Sequence, residues 1–122
     1  MPSRVNNPNA GFTLIELLLV VAVIGLLAVI AIPQFIAYRT RAIDTQMKSD
    51  LKNAAMAMES YFAEFKTYPT SVGSISSTGY RQTNGISLAI YVTTPSSFTL
   101  TASTPNGSQP SFTYNSTTGT IN

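Results

Sequence analysis

An α+β fold is predicted, a long kinked N-terminal helix packed on a small antiparallel sheet of three to four strands, and three observations predict it. No charged residue occurs between Leu17 and Tyr38. From Met47 to Phe65 apolar residues recur at spacings of three and four, the period of a helix with one covered face. After Ile86 the period changes to two, and turn residues separate the runs. The chain therefore divides into a polar stretch over 1–11, a helix over 12–67, and a connection with a small C-terminal cap over 68–122. At 122 residues this is one small domain plus a spanning helix.

The first half of the helix is apolar on every side, as suits a segment surrounded by lipid or by other helices. At about 1.5 Å per residue, the stretch from Leu17 to Tyr38 can cross a hydrocarbon layer of roughly 30 Å. Pro33 lacks an N–H and crowds the carbonyl of Val29, so a bend is expected there in a continuous helix, and Gly25 weakens the turn before it. Glu16 is the anomaly. An ionisable group in a spanning helix costs about 2.5–3.5 kcal/mol at the centre and less near an interface. Either it sits among headgroups, favoured by the helix dipole, or it meets a positive charge inside an assembly. No basic residue lies between Gly11 and Arg39. A cut just before Phe12 would supply a free amine, from the same helix or from a stacked copy.

The run Gly11-Phe12-Thr13-Leu14-Ile15-Glu16 followed by an apolar helix resembles the class III signal of type IV pilins and their pseudopilin relatives. The likeness continues through Ile32-Pro33-Gln34-Phe35 and Ala37-Tyr38-Arg39 to about Tyr68. The resemblance implies that residues 1–11 are a leader, removed between Gly11 and Phe12 by a membrane-bound aspartyl peptidase that also N-methylates Phe12. It implies that Phe12, Thr13 and Glu16 serve assembly, with Glu16 neutralising the Phe12 amine of an adjacent subunit. The partners it implies are copies of the same chain in a helical filament, the peptidase and methyltransferase, and an inner-membrane assembly platform with an ATPase. The chain would rest in the inner membrane before entering an extracellular filament. In such a fibre the stretch between Gly25 and Pro33 could melt and lengthen. The alternative is a pseudopilin of a type II secretion or DNA-uptake system; an isolated membrane-anchored binding module is a third reading.

Two features bear on topology. In a secretory signal the cut follows the apolar region, whereas here the polar leader precedes it and the apolar region is retained. Arg4 on one side against Arg39 and Arg41 on the other would place the C-terminal body in the cytoplasm by the positive-inside rule. The resemblance implies the opposite orientation, and we follow it because the leader must meet a cytoplasmic-side peptidase.

Beyond Tyr38 the stripe Met47, Leu51, Ala55, Met58, Phe62 and Phe65 requires a surface to cover it. Lys48, Lys52, Glu59 and Lys66 lie on the opposite face, and Asp44 stands four residues before Lys48 for an ion pair worth about 0.2–0.5 kcal/mol. The helix must end before Pro69, because the residue preceding proline is pushed out of the α region. Pro69 to Gly85 reads as a Ser/Thr/Gly-rich surface connection. Ile86, Leu88, Ile90 and Val92 then alternate with smaller or polar residues, as do Phe98, Leu100 and Ala102, and Phe112 and Tyr114 begin a third run. Turns are expected at Thr94-Pro95-Ser96 and Pro105-Asn106-Gly107. A short last strand near Thr120 and Ile121 would pair at an edge.

Composition excludes much. The chain has no Cys and no His, which removes disulfides, thiolate chemistry and the commonest general base and metal ligand. No enzymatic activity, cofactor or metal site is expected. After Lys66 the only charge is Arg81, so carboxylate coordination of a hard cation in the cap is unavailable, and so is the basic track that nucleic acid needs. Asn106-Gly-Ser108 and Asn115-Ser-Thr117 match N-glycosylation sequons, which arise easily in so hydroxyl-rich a segment. Phe12, Phe35, Tyr38, Phe62 and Tyr68 are similar in placement to aromatics of short conductive pilins, but an aromatic content of 10% is ordinary and core packing is the plainer role.

Overall fold

The computed structural model describes residues 2–3 and 11–122, so most of the predicted leader, Met1 and residues 4–10, lies outside the described residues. Helix α1 spans Leu14–Phe65 with Pro33 inside it. The backbone separates into two units, one up to Ile36 and the other from Ala37 onward. In the first unit the helix presents its large apolar side chains outward, with Val29 72% and Phe35 70% exposed. Its length and composition suffice to cross a membrane. Helical structure persists at both Gly25 and Pro33, in keeping with the continuous helix expected.

The second unit contains the rest of α1, a short helix α2 (Val72–Ser76), and strands β1 (Ser87–Thr94), β2 (Ser97–Ser103), β3 (Ser111–Asn115) and β4 (Thr120–Ile121). The four strands form one antiparallel meander in the order β1-β2-β3-β4. Register aligns two apolar rows across it, Leu88–Ala102–Phe112 and Ile90–Leu100–Tyr114–Ile121. These rows and Phe98 meet Met47, Leu51, Ala54 and Met58 of α1 in a single core. Phe98, Met47, Leu51, Met58, Ile75 and Leu100 are fully buried, each contributing about 1.5–3 kcal/mol relative to exposure.

The core follows the predicted stripe from Met47 to Met58 and departs from it at the C-terminal end. Phe65 is 52% exposed and lies against Tyr61, ring centroids 4.4 Å apart. Phe62 stacks instead on Tyr68, which tilts onto Phe98. The helical face is also wider than predicted, taking in Ala54, Ala57 and the carboxylate of Asp50. The connection over 69–85 is not merely a surface strap. It contains α2, capped by the Ser71 hydroxyl accepting from Gly73 N–H at 3.2 Å, and it buries Ile75 and Tyr80.

Four charges on α1 hold the charge-poor cap, a different use from the solvated face and the Asp44–Lys48 pair expected. Asp44 accepts hydrogen bonds from the Ser108 backbone N–H, at 2.8 Å, and from its hydroxyl. Lys48 places its ammonium 4.7 Å from the Phe112 ring centroid. Buried Asp50 accepts from the Thr83 N–H at 3.1 Å and its hydroxyl at 2.7 Å. Glu59 accepts from the Tyr68 hydroxyl at 3.1 Å. The β2–β3 connection comes so close to α1 that a Cβ on Gly107 would stand 2.7 Å from Met47 Cε and 2.9 Å from Asp44 Oδ1.

Lys66 ends the helix two residues earlier than the Pro69 argument alone required. Its φ is 57°, and its N–H donates to the Phe62 carbonyl at 2.8 Å. This is a left-handed C-terminal cap, a position where glycine avoids the Cβ penalty. Lys66→Gly is therefore expected to stabilise the chain by about 0.5–1 kcal/mol, read as a rise of a few degrees in thermal unfolding.

Tyr80 is the misfit of the core. It is 4% exposed, and among the described residues its hydroxyl has no hydrogen-bond partner. Burial, aided by the negative charge of Asp50, pushes its phenol up to about 12 from 10.0. The folded value lies above the unfolded one, so the stability gained from the neutral phenol is complete below pH 10 and is lost as pH rises through about 12. Tyr80→Phe should abolish this component of alkaline destabilisation. At neutral pH it should leave stability equal or higher, because an unbonded buried hydroxyl costs about 1–3 kcal/mol. Unfolding midpoints at pH 8 and pH 11 for both chains would measure it.

Candidate assembly site at the helix start

Thr13 and Glu16 form one local constellation. The Thr13 hydroxyl accepts from the Glu16 backbone N–H at 3.2 Å, while Glu16 Oε2 accepts from the Thr13 backbone N–H at 3.0 Å and its hydroxyl at 3.2 Å. This is a reciprocal capping box, in which two otherwise unsatisfied donors at a helix start are both bonded. Because Thr13 is the cap, α1 begins at Leu14 rather than at Phe12 as predicted. Gly11 and Phe12 precede the helix, and Phe12 is 84% exposed.

The arrangement supplies a partner for Glu16 that the sequence argument did not name. The expected partners of Glu16 are the helix dipole among headgroups or the Phe12 amine of the same or a stacked helix, whereas Thr13-Leu-Ile-Glu16 ahead of an apolar run is itself the capping-box signature. Local satisfaction does not saturate the carboxylate. Both Thr13 donors converge on Oε2, and among the described residues Oε1 is engaged by none. An anion held at a helix N-terminus, with one oxygen available and apolar side chains beyond it, can accept an ammonium group brought by another chain.

The other predicted site residues lie apart from this constellation. Gly25 and Pro33 are inside α1. A Cβ on Gly25 would meet nothing within 4 Å, so packing within the chain does not demand a glycine there. Gly11 is likewise open, with nothing within 4 Å of an added Cβ. Of the aromatics compared with conductive pilins, Phe62 and Tyr68 join the ring contacts of the core, Tyr68 with its phenol raised chiefly by burial and secondly by Glu59. Phe12, Phe35 and Tyr38 are exposed.

Comparison with known proteins joins both parts of the chain to one group. Residues 6–32 match the prokaryotic N-terminal methylation motif. Residues 33–117 match the family described as type IV minor pilin ComP, DNA uptake sequence receptor. The type IV major pilin protein PilA of Myxococcus xanthus is 50% identical over 66 residues, covering 54% of this chain and 30% of that protein. The type IV wide pilus major component PilA4 of Thermus thermophilus is 40% identical over 73 residues, covering 60% and 56%. The type II secretion system core protein G of Pseudomonas aeruginosa is 37% identical over 62 residues, covering 51% and 44%. The matched stretches span about half or less of these relatives' own lengths. A family model matched over more than half of the sequence, preceded by a methylation motif on an apolar helix with a capped glutamate, means that the chain belongs to the type IV pilins, in the family described as type IV minor pilin ComP, DNA uptake sequence receptor.

Proposed function

We propose that this chain is a structural subunit of a type IV pilus filament. It would be cut between Gly11 and Phe12, N-methylated at Phe12, held in the inner membrane, and then polymerised through the apolar part of α1 into an extracellular fibre. The observation that carries this is the capped Glu16 at the head of an outward-facing apolar helix. Such a surface needs lipid or other copies around it, and the carboxylate at its head, whose Oε1 is unbonded among the described residues, would take up a cation there. A peptidase with N-methyltransferase activity and an inner-membrane platform with an ATPase are the partners this process requires. The stretch from Gly25 to Pro33 is proposed as the part of α1 that lengthens in the fibre, since one residue lacks a Cβ and the other a backbone donor. Amide exchange in assembled fibres should be faster there than in the flanking turns.

Mass spectrometry of the mature N-terminus is the direct test. N-methylated Phe12 in sheared surface filaments is expected; an unprocessed Met1, or a processed chain confined to the membrane fraction, would overturn the reading. A pseudopilin role is the alternative, favoured by the similarity to the secretion core protein, and a short periplasmic fibre in place of surface filaments would point to it. A DNA-receptor role has support in the description of the matched family. Against it stands a cap whose only charge after Lys66 is Arg81. Duplex binding that prefers one sequence over a scrambled duplex at the same salt concentration would establish it.

A further inference from the structure

The edge of the sheet formed by β1 supports an inference that rests on the filament reading above. The N–H of Phe98 bonds to the Ser116 hydroxyl and its carbonyl to the Ser116 N–H, so Phe98 faces the β3 side. By the alternation of antiparallel strands, Thr99, Thr101 and Ser103 face β1. They pair with Tyr91, Ala89 and Ser87, which leaves Leu88, Ile90 and Val92 turning their backbone groups to the open edge. Ile86 has the same parity, and its edge is occupied: its N–H donates to the Thr83 carbonyl at 3.2 Å and its carbonyl accepts from the Gln82 side chain. Beyond Ile86, among the described residues, no backbone group outside the sheet bonds Leu88, Ile90 or Val92.

Helix α2 comes close to β1 but no backbone bond joins the two, so among the described residues the edge is not closed by pairing. Residues 87–94 contain no charge and no proline, and the only register shift lies between Val92 and Thr94; charges, prolines and central bulges are the usual means of preventing strand addition. The opposite edge, β4, is two residues long.

We propose that the β1 edge joins filaments side by side, β1 pairing antiparallel with β1 of a second copy about Ile90. That register is complementary in size. Ile90 exchanges both backbone bonds with its counterpart, Leu88 stands opposite Val92 on the core-facing side, and on the outer side Tyr91, 61% exposed, covers Ala89. An uncharged strand meeting itself brings no like-charge repulsion. A two-fold contact closes on itself, whereas copies along a helical filament are related head to tail. The pairing therefore links one filament to another, and weak contacts repeated along two fibres add through multivalency.

The chain has no native cysteine, so introduced thiols are unambiguous. Filaments from Ala89→Cys cells and from Tyr91→Cys cells are mixed and oxidised. Opposed positions fall within disulfide reach, whereas the 89–89 and 91–91 pairs are diagonal and farther apart. Disulfide-linked dimers should be at least about tenfold more abundant in the mixture than in either preparation alone, the increase that a contact favoured by about 1.4 kcal/mol gives. Bundles that form without that enrichment overturn the pairing. Should either variant fail to assemble, amide exchange on the parent filaments decides. Leu88, Ile90 and Val92 must slow when dispersed filaments are bundled, and unchanged exchange refutes the proposal. Regular filaments that never associate laterally sink this inference alone, whereas absence of filaments carrying N-methylated Phe12 sinks the reading beneath it.

Discussion

Cells carrying Glu16→Gln are expected to hold at least about tenfold fewer surface filaments than the parent, while cleavage after Gly11 continues. Glutamine has nearly the shape of glutamate and still accepts from the Thr13 N–H, so the capping box survives. What disappears is the negative charge. A tenfold change corresponds to about 1.4 kcal/mol, a modest demand given that an unpaired buried charge costs about 3–5 kcal/mol. Glu16→Ala removes charge and cap together and should fall further, since losing a cap costs a helix about 0.5–2 kcal/mol. Quantifying the chain in sheared and membrane fractions separates the two contributions. If the Gln chain built filaments as well as the parent and the Ala chain did not, the role of Glu16 would be the helix start and not the charge.

The contrast between these variants follows from what the sequence did and did not disclose about the site. Glu16 stands out because a carboxylate opening an apolar run is energetically awkward, and that awkwardness is legible without coordinates. Its bonds to Thr13 are equally local, only three residues apart, yet a search for a positive partner passes over a backbone N–H. The strands were legible for a different reason. Alternation of large apolar with small or hydroxyl residues from Ile86 to Ala102 leaves one way to bury a face, and register then follows from the turns. Helix α2 was hidden because five residues are too short to display a period. Phe65 kept the period but lost its cover, since the chain reverses at Lys66 immediately after it.

Asp50 shows where pattern reading fails most instructively, and it carries the second large effect. It lies between Met47 and Ala54 on the buried face, where a carboxylate in a sequence suggests solvent. Its burial makes sense only with Thr83, 33 residues away, whose N–H and hydroxyl both donate to it. The connection that holds Thr83 also carries Gln82, which bonds Ile86 at the entrance to β1, so the bonds at Asp50 fix how the sheet begins. Asp50→Ala leaves the Thr83 N–H without its acceptor and opens a small void, which together should cost about 2–4 kcal/mol. For a unit of this size that is a fall of roughly 10–20 °C in thermal unfolding of the full chain in detergent. Asp50→Asn keeps one acceptor and the volume but loses the charge, and should cost about half as much, because bonds to charged groups are worth about 1.5–3 kcal/mol and neutral ones about 0.5–1.5. Equal losses for Ala and Asn would assign the whole effect to the carboxylate charge, and a negligible loss for Ala would mean that the Thr83 connection is held by the burial of Ile75 and Tyr80 instead.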